Sequence, residues 1–231
     1  PELKGEFAKE VTVGDLSSMA SGLSWDEHYY SPFSIVTRAY FDDDLKKVIL
    51  GLEVNKKPGQ SFEYLSGATE LLAMCIEKAT GEYLSNYVSE HFWKPMGAEN
   101  DALWQLDEAE TGIEKAYCCI ASTARDFARF GKLYKQNGVW NGKQILSEDW
   151  IRKATTPTVA NTGYGFMNYF LNTDRKLYPS APATAYAHIG NGTNAIYVDQ
   201  ENDLVVVVRW MEDKSIDGFL KILLGALPQN R

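Results

Sequence analysis

The sequence predicts an α+β protein, with a mainly helical region over residues 1–156 and antiparallel strands with a closing helix over residues 157–231. Three observations carry this. Apolar positions recur at helical spacing through the first two-thirds, runs of β-branched and aromatic residues begin after Pro157, and an apolar C-terminal stretch returns to helical spacing. With 231 residues, 45% hydrophobic and 13% aromatic, the chain can bury a core without disulfides and is too apolar to be disordered.

In chain order, Asp42-Asp43-Asp44 followed by Lys46-Lys47 reads as a solvated helix start, acidic where the macrodipole favours it; a metal cluster is the alternative reading. Residues 67–80 place Leu71, Leu72, Cys75, Ile76 and Ala79 on one stripe, with Gly81 as the stop. Thr123 to Asp126 resembles a capping box, followed by Phe127, Phe130, Leu133 and Tyr134, with Gly138 after the last turn. Ser147 can cap a short helix through Trp150 and Ile151. Strands are expected at 164–172, 186–198 and 204–210, the last two joined by a turn over Asp199 to Asp203. Five successive apolar residues, Leu204 to Val208, point to a strand covered on both faces, and Ile216, Phe219, Leu220, Leu223 and Leu224 to an amphipathic helix over the sheet.

Composition narrows the function. Lys+Arg 23 against Asp+Glu 31 gives a net charge of -8 with no basic run, which argues against a nucleic-acid partner. Cys75, Cys118 and Cys119 are an odd count with two adjacent, and adjacent cysteines rarely bridge, so all three are expected to be small buried hydrophobes. No apolar run reaches transmembrane length and the first residues lack signal-peptide character. The compartment stays open between the cytoplasm and export from a bacterial cell.

H-E-x-x-H, C-x-x-C, G-x-S-x-G, Walker and G-x-G-x-x-G motifs are absent, and His28, His91 and His188 are too scattered to suggest a metal site; no cofactor is expected. What remains is Tyr64-Leu65-Ser66 at a helix entrance and His188-Ile189-Gly190 at the front of a strand, with Gly192 close behind. Glycines weaken a strand, so they mark either a bulge or a close approach by another backbone. Each triplet alone also fits a core tyrosine or histidine with satisfied hydrogen bonds.

Taken in order, these elements resemble the serine β-lactamase and penicillin-binding-protein superfamily, closest to its class C β-lactamase-like esterase and amide-hydrolase branch. Val11 to Leu16 running into Ala20-Ser21-Gly22-Leu23 is similar to the segment after that family's nucleophile helix. Phe62 to Ser66 is similar to its Tyr-x-Asn element, Phe92 to Gly97 to its "P-L-G-M" turn, and residues 124–150 to the helix and loop before its sheet. His188-Ile189-Gly190 takes the place of Lys-Thr-Gly.

The resemblance implies a β-lactamase/transpeptidase-like fold and acyl-enzyme hydrolysis of a small ester, amide or β-lactam. It implies Tyr64 and His188 as catalytic residues, and Ser66, Gly190 and Asn191 as substrate-binding residues. A tyrosine is a base at neutral pH only where positive charge favours the phenolate, and the family supplies that charge with the lysine of Ser-x-x-Lys. His188 would donate to the tyrosine or to a substrate carboxylate; a neutral imidazole is a weaker anion site than lysine, favouring an ester or amide over a penicillin. Gly190 would admit substrate to the strand edge, and the Asn191 amide would supply half of an oxyanion hole.

Two departures stand out. Ser66 occupies a position where the family often has asparagine, and no serine of this chain has lysine three positions later, so the Ser-x-x-Lys element is absent. The expectation is an N-terminal truncation that removed the nucleophile, the first helix and the first strands, leaving an inactive part of a serine hydrolase. Its uncovered apolar surface would favour self-association. The alternatives are a non-catalytic binding or sensor module on the same fold, and a protein in which Tyr64 and His188 are core groups.

Overall fold

The computed structural model describes residues 3–174 and 176–228. The chain forms two compact units, Pro1–Ser122 and Thr123–Arg231. The second unit therefore takes in helices that precede residue 157: the change of pattern after Pro157 is a change of element type, and the packing boundary lies earlier.

The first unit is helical. Short helices α1 (Val13–Ser17), α2 (Ile35–Phe41) and α3 (Leu45–Leu50) precede the long α4 (Ser66–Thr80), which is followed by α5 (Leu84–Val88) and a π turn at Ser89–Trp93. Asp44 caps α3 by accepting from Lys47 N at 3.0 Å, which is the solvated helix start expected there. Helix α4 stops at Gly81 in the left-handed conformation, φ 77°. Its buried face differs from the expected stripe: Ala68, Glu70, Leu71, Ala73 and Met74 are buried and Ala79 is exposed. A carboxylate on the inner face hides that face from a reading based on apolar residues alone. A two-residue ladder, β1 (Leu103–Trp104) with β2 (Ile120–Ala121), interrupts the mainly helical region that the sequence predicts.

The adjacent cysteines correct an expectation. Cys118 and Cys119 are disulfide-bonded and half-buried. Cys119 sits at φ 72°, a left-handed turn that brings two successive side chains, normally on opposite sides of an extended chain, to one side.

The second unit is a four-stranded antiparallel sheet between helices. Helix α6 (Ala124–Lys135) starts at Thr123, whose side chain accepts from Asp126 N at 3.1 Å. The small hairpin β3 (Val139–Trp140) and β4 (Lys143–Gln144) leads to α7 (Glu148–Ala154), capped by Ser147 as expected. Strands β5 (Tyr169–Phe170), β6 (Tyr186–Gly190), β7 (Asn194–Asp199) and β8 (Leu204–Val208) pair in sequence order, and α8 (Asp213–Ala226) follows. One sheet face carries Phe170, Tyr186, Ile196 and Val198 against Tyr134 of α6. The other carries Ala187, Tyr197, Val206 and Val208 against Ile216 and Leu220 of α8. The apolar run of β8 is thus explained by helices on both faces, and Gly131 lets α6 approach: a Cβ there would meet Val205 at 2.6 Å.

The segment 186–198, expected as one strand, is a hairpin instead. Asn191, Gly192 and Thr193 form its turn, with positive φ at Gly192 (71°) and Thr193 (50°). Asn191 Oδ1 accepts from Gly192 N at 2.8 Å and Asn194 Nδ2 donates to Asn191 O at 2.7 Å. Asn-Gly between alternating apolar residues is itself a hairpin signal. The expected strand over 164–172 shrinks to two residues because Gly165 to Asn168 form a tight turn.

Candidate active site

In the first unit, the helix that carries Ser66 starts without a local cap. Its N-cap is Leu65, which has no side-chain acceptor, so the first amides of α4 need a partner from elsewhere. Glu27 supplies it. Its carboxylate accepts from Ser66 N at 2.8 Å and from Ser66 Oγ at 2.5 Å, and also from Trp25 Nε1 at 2.6 Å and Tyr29 OH at 2.5 Å. A carboxylate at a helix N-terminus is favoured by both the free amides and the macrodipole.

Gly67 makes this docking possible, since a Cβ there would lie 2.5 Å from the Trp25 ring. The indole packs against the first turn of α4 and brings Glu27, two residues on, to Ser66. Composition and spacing did not reveal Glu27, which lies 39 residues before Ser66 in a stretch that reads as loop. The missing local cap at Leu65 was the available signal.

Tyr64 is half-buried, two residues before Ser66. Burial first, and the charge of Glu27 second, push its hydroxyl above the ordinary phenol range. In this setting it is a neutral phenol at pH 7. Tyr29 is shifted in the same direction, by burial and then by its bond to Glu27. Because the Ser66 hydroxyl donates its one hydrogen bond to Glu27, its oxygen keeps lone pairs with which to accept from another group.

Farther along α4, Glu70 is 1% exposed, accepts from Ala116 N at 2.7 Å, and is pushed up to about 8, chiefly by burial. It ties the helix to the segment that leads into the disulfide.

In the second unit, His188 is half-buried on the sheet face that carries Tyr186. Its ring lies edge-on to Tyr134 of α6 with centroids 4.9 Å apart, and Nδ1 is 3.0 Å from the Met167 carbonyl. Burial lowers its affinity for a proton, with the Met167 bond opposing. Strand β6 outruns β5: the ladder on that side stops at Tyr169 with Ala187, while the β7 ladder continues to Gly190. Ile189 and Gly190 therefore have an edge with no strand against it among the described residues.

The two glycines behind His188 have different explanations. Gly192 is required by the turn and by Trp210, whose ring a Cβ would meet at 2.4 Å. At Gly190 a Cβ would meet only Asn194 O, at 3.7 Å, an ordinary contact, so nothing in the unit's own packing demands glycine there. Asn191 begins the turn, one residue beyond the strand.

No group of three or more His, Cys, Asp or Glu side chains able to hold a metal occurs among the described residues. The structure brings Tyr64 and Ser66 together in one unit, and His188, Gly190 and Asn191 together in the other.

A mainly helical unit followed by an antiparallel sheet between helices fits the β-lactamase/penicillin-binding-protein class of folds. The Beta-lactamase family profile matches residues 1–218, and the chain belongs to that family. It is 29% identical over 183 residues to the 6-aminohexanoate-dimer hydrolase of Paenarthrobacter ureafaciens, an alignment covering 74% of this chain and 46% of that protein. Among solved structures, a candidate 6-aminohexanoate-dimer hydrolase from Bacillus anthracis superimposes with a TM-score of 0.75 at 24% identity, covering 95% of this chain and 63% of the other. The octameric penicillin-binding-protein homologue of Pyrococcus abyssi superimposes with a TM-score of 0.67 at 20% identity, covering 97% and 58%. The chain thus spans about half to two-thirds of the length of these proteins.

Proposed function

We propose that this chain is part of a β-lactamase-like serine hydrolase that cleaves a small ester or amide through an acyl-enzyme. Tyr64 and His188 are its catalytic residues and Ser66, Gly190 and Asn191 its substrate-binding residues. The observation that carries the reading is the start of α4, where a carboxylate from outside the helix holds Ser66 two residues from a half-buried tyrosine whose hydroxyl is shifted. The open edge at Gly190, where packing does not require glycine, supports it from the second unit. The relative from Paenarthrobacter ureafaciens is, by its name, a hydrolase of the 6-aminohexanoate dimer, and histidine in the place of the family's lysine, a weaker site for an anion, favours an ester or amide over a penicillin.

The nucleophile of this proposal is a Ser-x-x-Lys serine outside these 231 residues, because no serine within them has lysine three positions later. The neutral Tyr64 becomes a base only when that lysine lies beside it. The 231-residue chain is therefore expected to take no fluorophosphonate label and to hydrolyse neither p-nitrophenyl esters nor chromogenic cephalosporins. A stoichiometric label on it would place an activated serine within the chain and sink the assignment of the nucleophile to a Ser-x-x-Lys serine outside it. In a longer chain carrying Ser-x-x-Lys, Tyr64→Phe should lower kcat by ~10²–10⁴, whereas a parent reading frame without that motif would favour the binding or sensor alternative. Self-association through apolar surface belongs to the same proposal, and sedimentation of the 231-residue chain tests it.

A further inference from the structure

The turn before β5 aims one carbonyl at His188. Met167 is left-handed, φ 58°, an uncommon conformation for a side chain of its size. The turn is clamped from several directions. Gly165 N donates to Asn168 O at 2.9 Å and Phe166 N to Ala154 O at 2.9 Å. The buried Asn168 amide donates to Ala154 O at 2.8 Å and Phe166 O at 2.9 Å. A Cβ on Gly165 would lie 2.4 Å from Ala154 O, so the turn sits against the end of α7 with no room to relax. Its outcome is the 3.0 Å contact between Met167 O and His188 Nδ1.

A carbonyl oxygen only accepts, so Nδ1 must carry the proton. The other faces of the ring add no charge among the described residues. Tyr134 faces it from α6, Tyr186 is its neighbour on β6 at 6.4 Å between centroids, and Ile196 is its partner on β7. Both tyrosine hydroxyls are raised by burial and stay neutral.

We infer that Met167 locks His188 as the Nδ1–H tautomer, leaving Nε2 as a hydrogen-bond acceptor, so that the substrate group His188 meets is a donor, an amide N–H or a hydroxyl, and not a carboxylate. This rests on the hydrolase reading for the claim that His188 meets substrate, and on the turn alone for the tautomer. It reverses the donor role that the family resemblance implies. A lysine at this place offers only protons, whereas this histidine, with its one N–H already used, offers a lone pair. Selection for an N–H or O–H donor would then be built into the backbone of the 165–168 turn.

The test is long-range proton–nitrogen-15 NMR on the 231-residue chain with labelled histidine. His28→Gln and His91→Gln, both at exposed positions, leave His188 as the sole signal. At pH 7 the expected result is protonated Nδ1 and bare Nε2, persisting below the ordinary histidine pKa of 6.5. Protonated Nε2, or an imidazolium at pH 7, overturns the inference. In the second arm hexanamide and hexanoate are titrated separately. Hexanamide is expected to move the Nε2 resonance toward its protonated position and hexanoate to leave it unchanged; a larger response to hexanoate, or none to either, overturns the donor assignment. The two readings fail separately, because a parent reading frame without Ser-x-x-Lys would end the hydrolase assignment while leaving the tautomer measurement standing.

Discussion

The two units fix their candidate residues by opposite means. In the first, a charge does it: Glu27 gathers four donors from Trp25, Tyr29 and Ser66, and Glu70 anchors the next turn of the same helix. In the second, an uncharged backbone carbonyl from a clamped turn fixes His188. Carboxylate anchoring concentrates several hydrogen bonds on one group and makes the arrangement depend on protonation. Backbone anchoring contributes one bond, is insensitive to pH, and dictates polarity instead. The first unit should therefore respond to acid–base changes and the second to backbone geometry.

The largest expected effect is at Glu27. Glu27→Ala leaves the indole, a hydroxyl and the start of α4 without their acceptor, and bonds to charged groups are worth ~1.5–3 kcal/mol each. With water replacing some of them at this half-buried site, a loss of about 3 kcal/mol in urea unfolding is expected. The phenolate titration of Tyr64, isolated by difference against Tyr64→Phe, should move down toward the ordinary range, since a negative neighbour is gone. Glu27→Gln should fall between the two on both measurements. A variant that unfolds like the parent and leaves Tyr64 unmoved would remove the asymmetry between the units.

The next effect is the pH response of Glu70. Its pKa in the folded chain, about 8, lies above the ordinary 4.5 because burial disfavours the charge. A raised pKa means that the folded state binds the proton more tightly. The stabilisation is complete below pH 4.5 and is lost as pH rises toward 8. At ~1.4 kcal/mol per unit, this group can cost the fold a few kcal/mol by pH 9. Glu70→Gln keeps an oxygen for the Ala116 amide and removes the charge. The parent should thus be less stable at pH 9 than at pH 5, and the variant should lose most of that difference.

The sequence made much of the fold legible, for physical reasons. Helices α3, α6 and α7 start at Asp44, Thr123 and Ser147, whose side chains cap locally, and local chemistry is visible in local sequence. Strand β8 showed through its unbroken apolar run. What escaped was non-local or mistaken in period. Glu27 caps a helix that begins 39 residues later, which spacing cannot show. Glu70 broke the apolar stripe on the face it occupies. Asn191-Gly192-Thr193 was absorbed into a strand because apolar residues flank it on both sides. The Cys118–Cys119 bridge depends on a left-handed residue that composition does not announce. Of the candidate site, Tyr64, Ser66 and His188 came from motif order, whereas the groups that set their protonation came only from coordinates.

The smallest effect contrasts two glycines of the second unit, and it separates a residue the fold needs from one it does not. Gly192→Ala puts a Cβ into the Trp210 ring and forces alanine to a φ of 71°. Such a change should cost ~1–2 kcal/mol and loosen the β6–β7 turn. Gly190→Ala adds a methyl at ordinary contact distance, on a strand where glycine is itself unfavourable, and should be neutral or slightly stabilising in the same unfolding experiment. In a longer chain bearing the nucleophile, the order should reverse for catalysis. Gly190→Ala would obstruct a substrate lying along the open edge of β6 and raise KM, whereas Gly192→Ala would act mainly through stability. Equal stability losses from both substitutions would show that the fold itself requires Gly190, and would leave the open strand edge without the observation that marks it as a place for substrate.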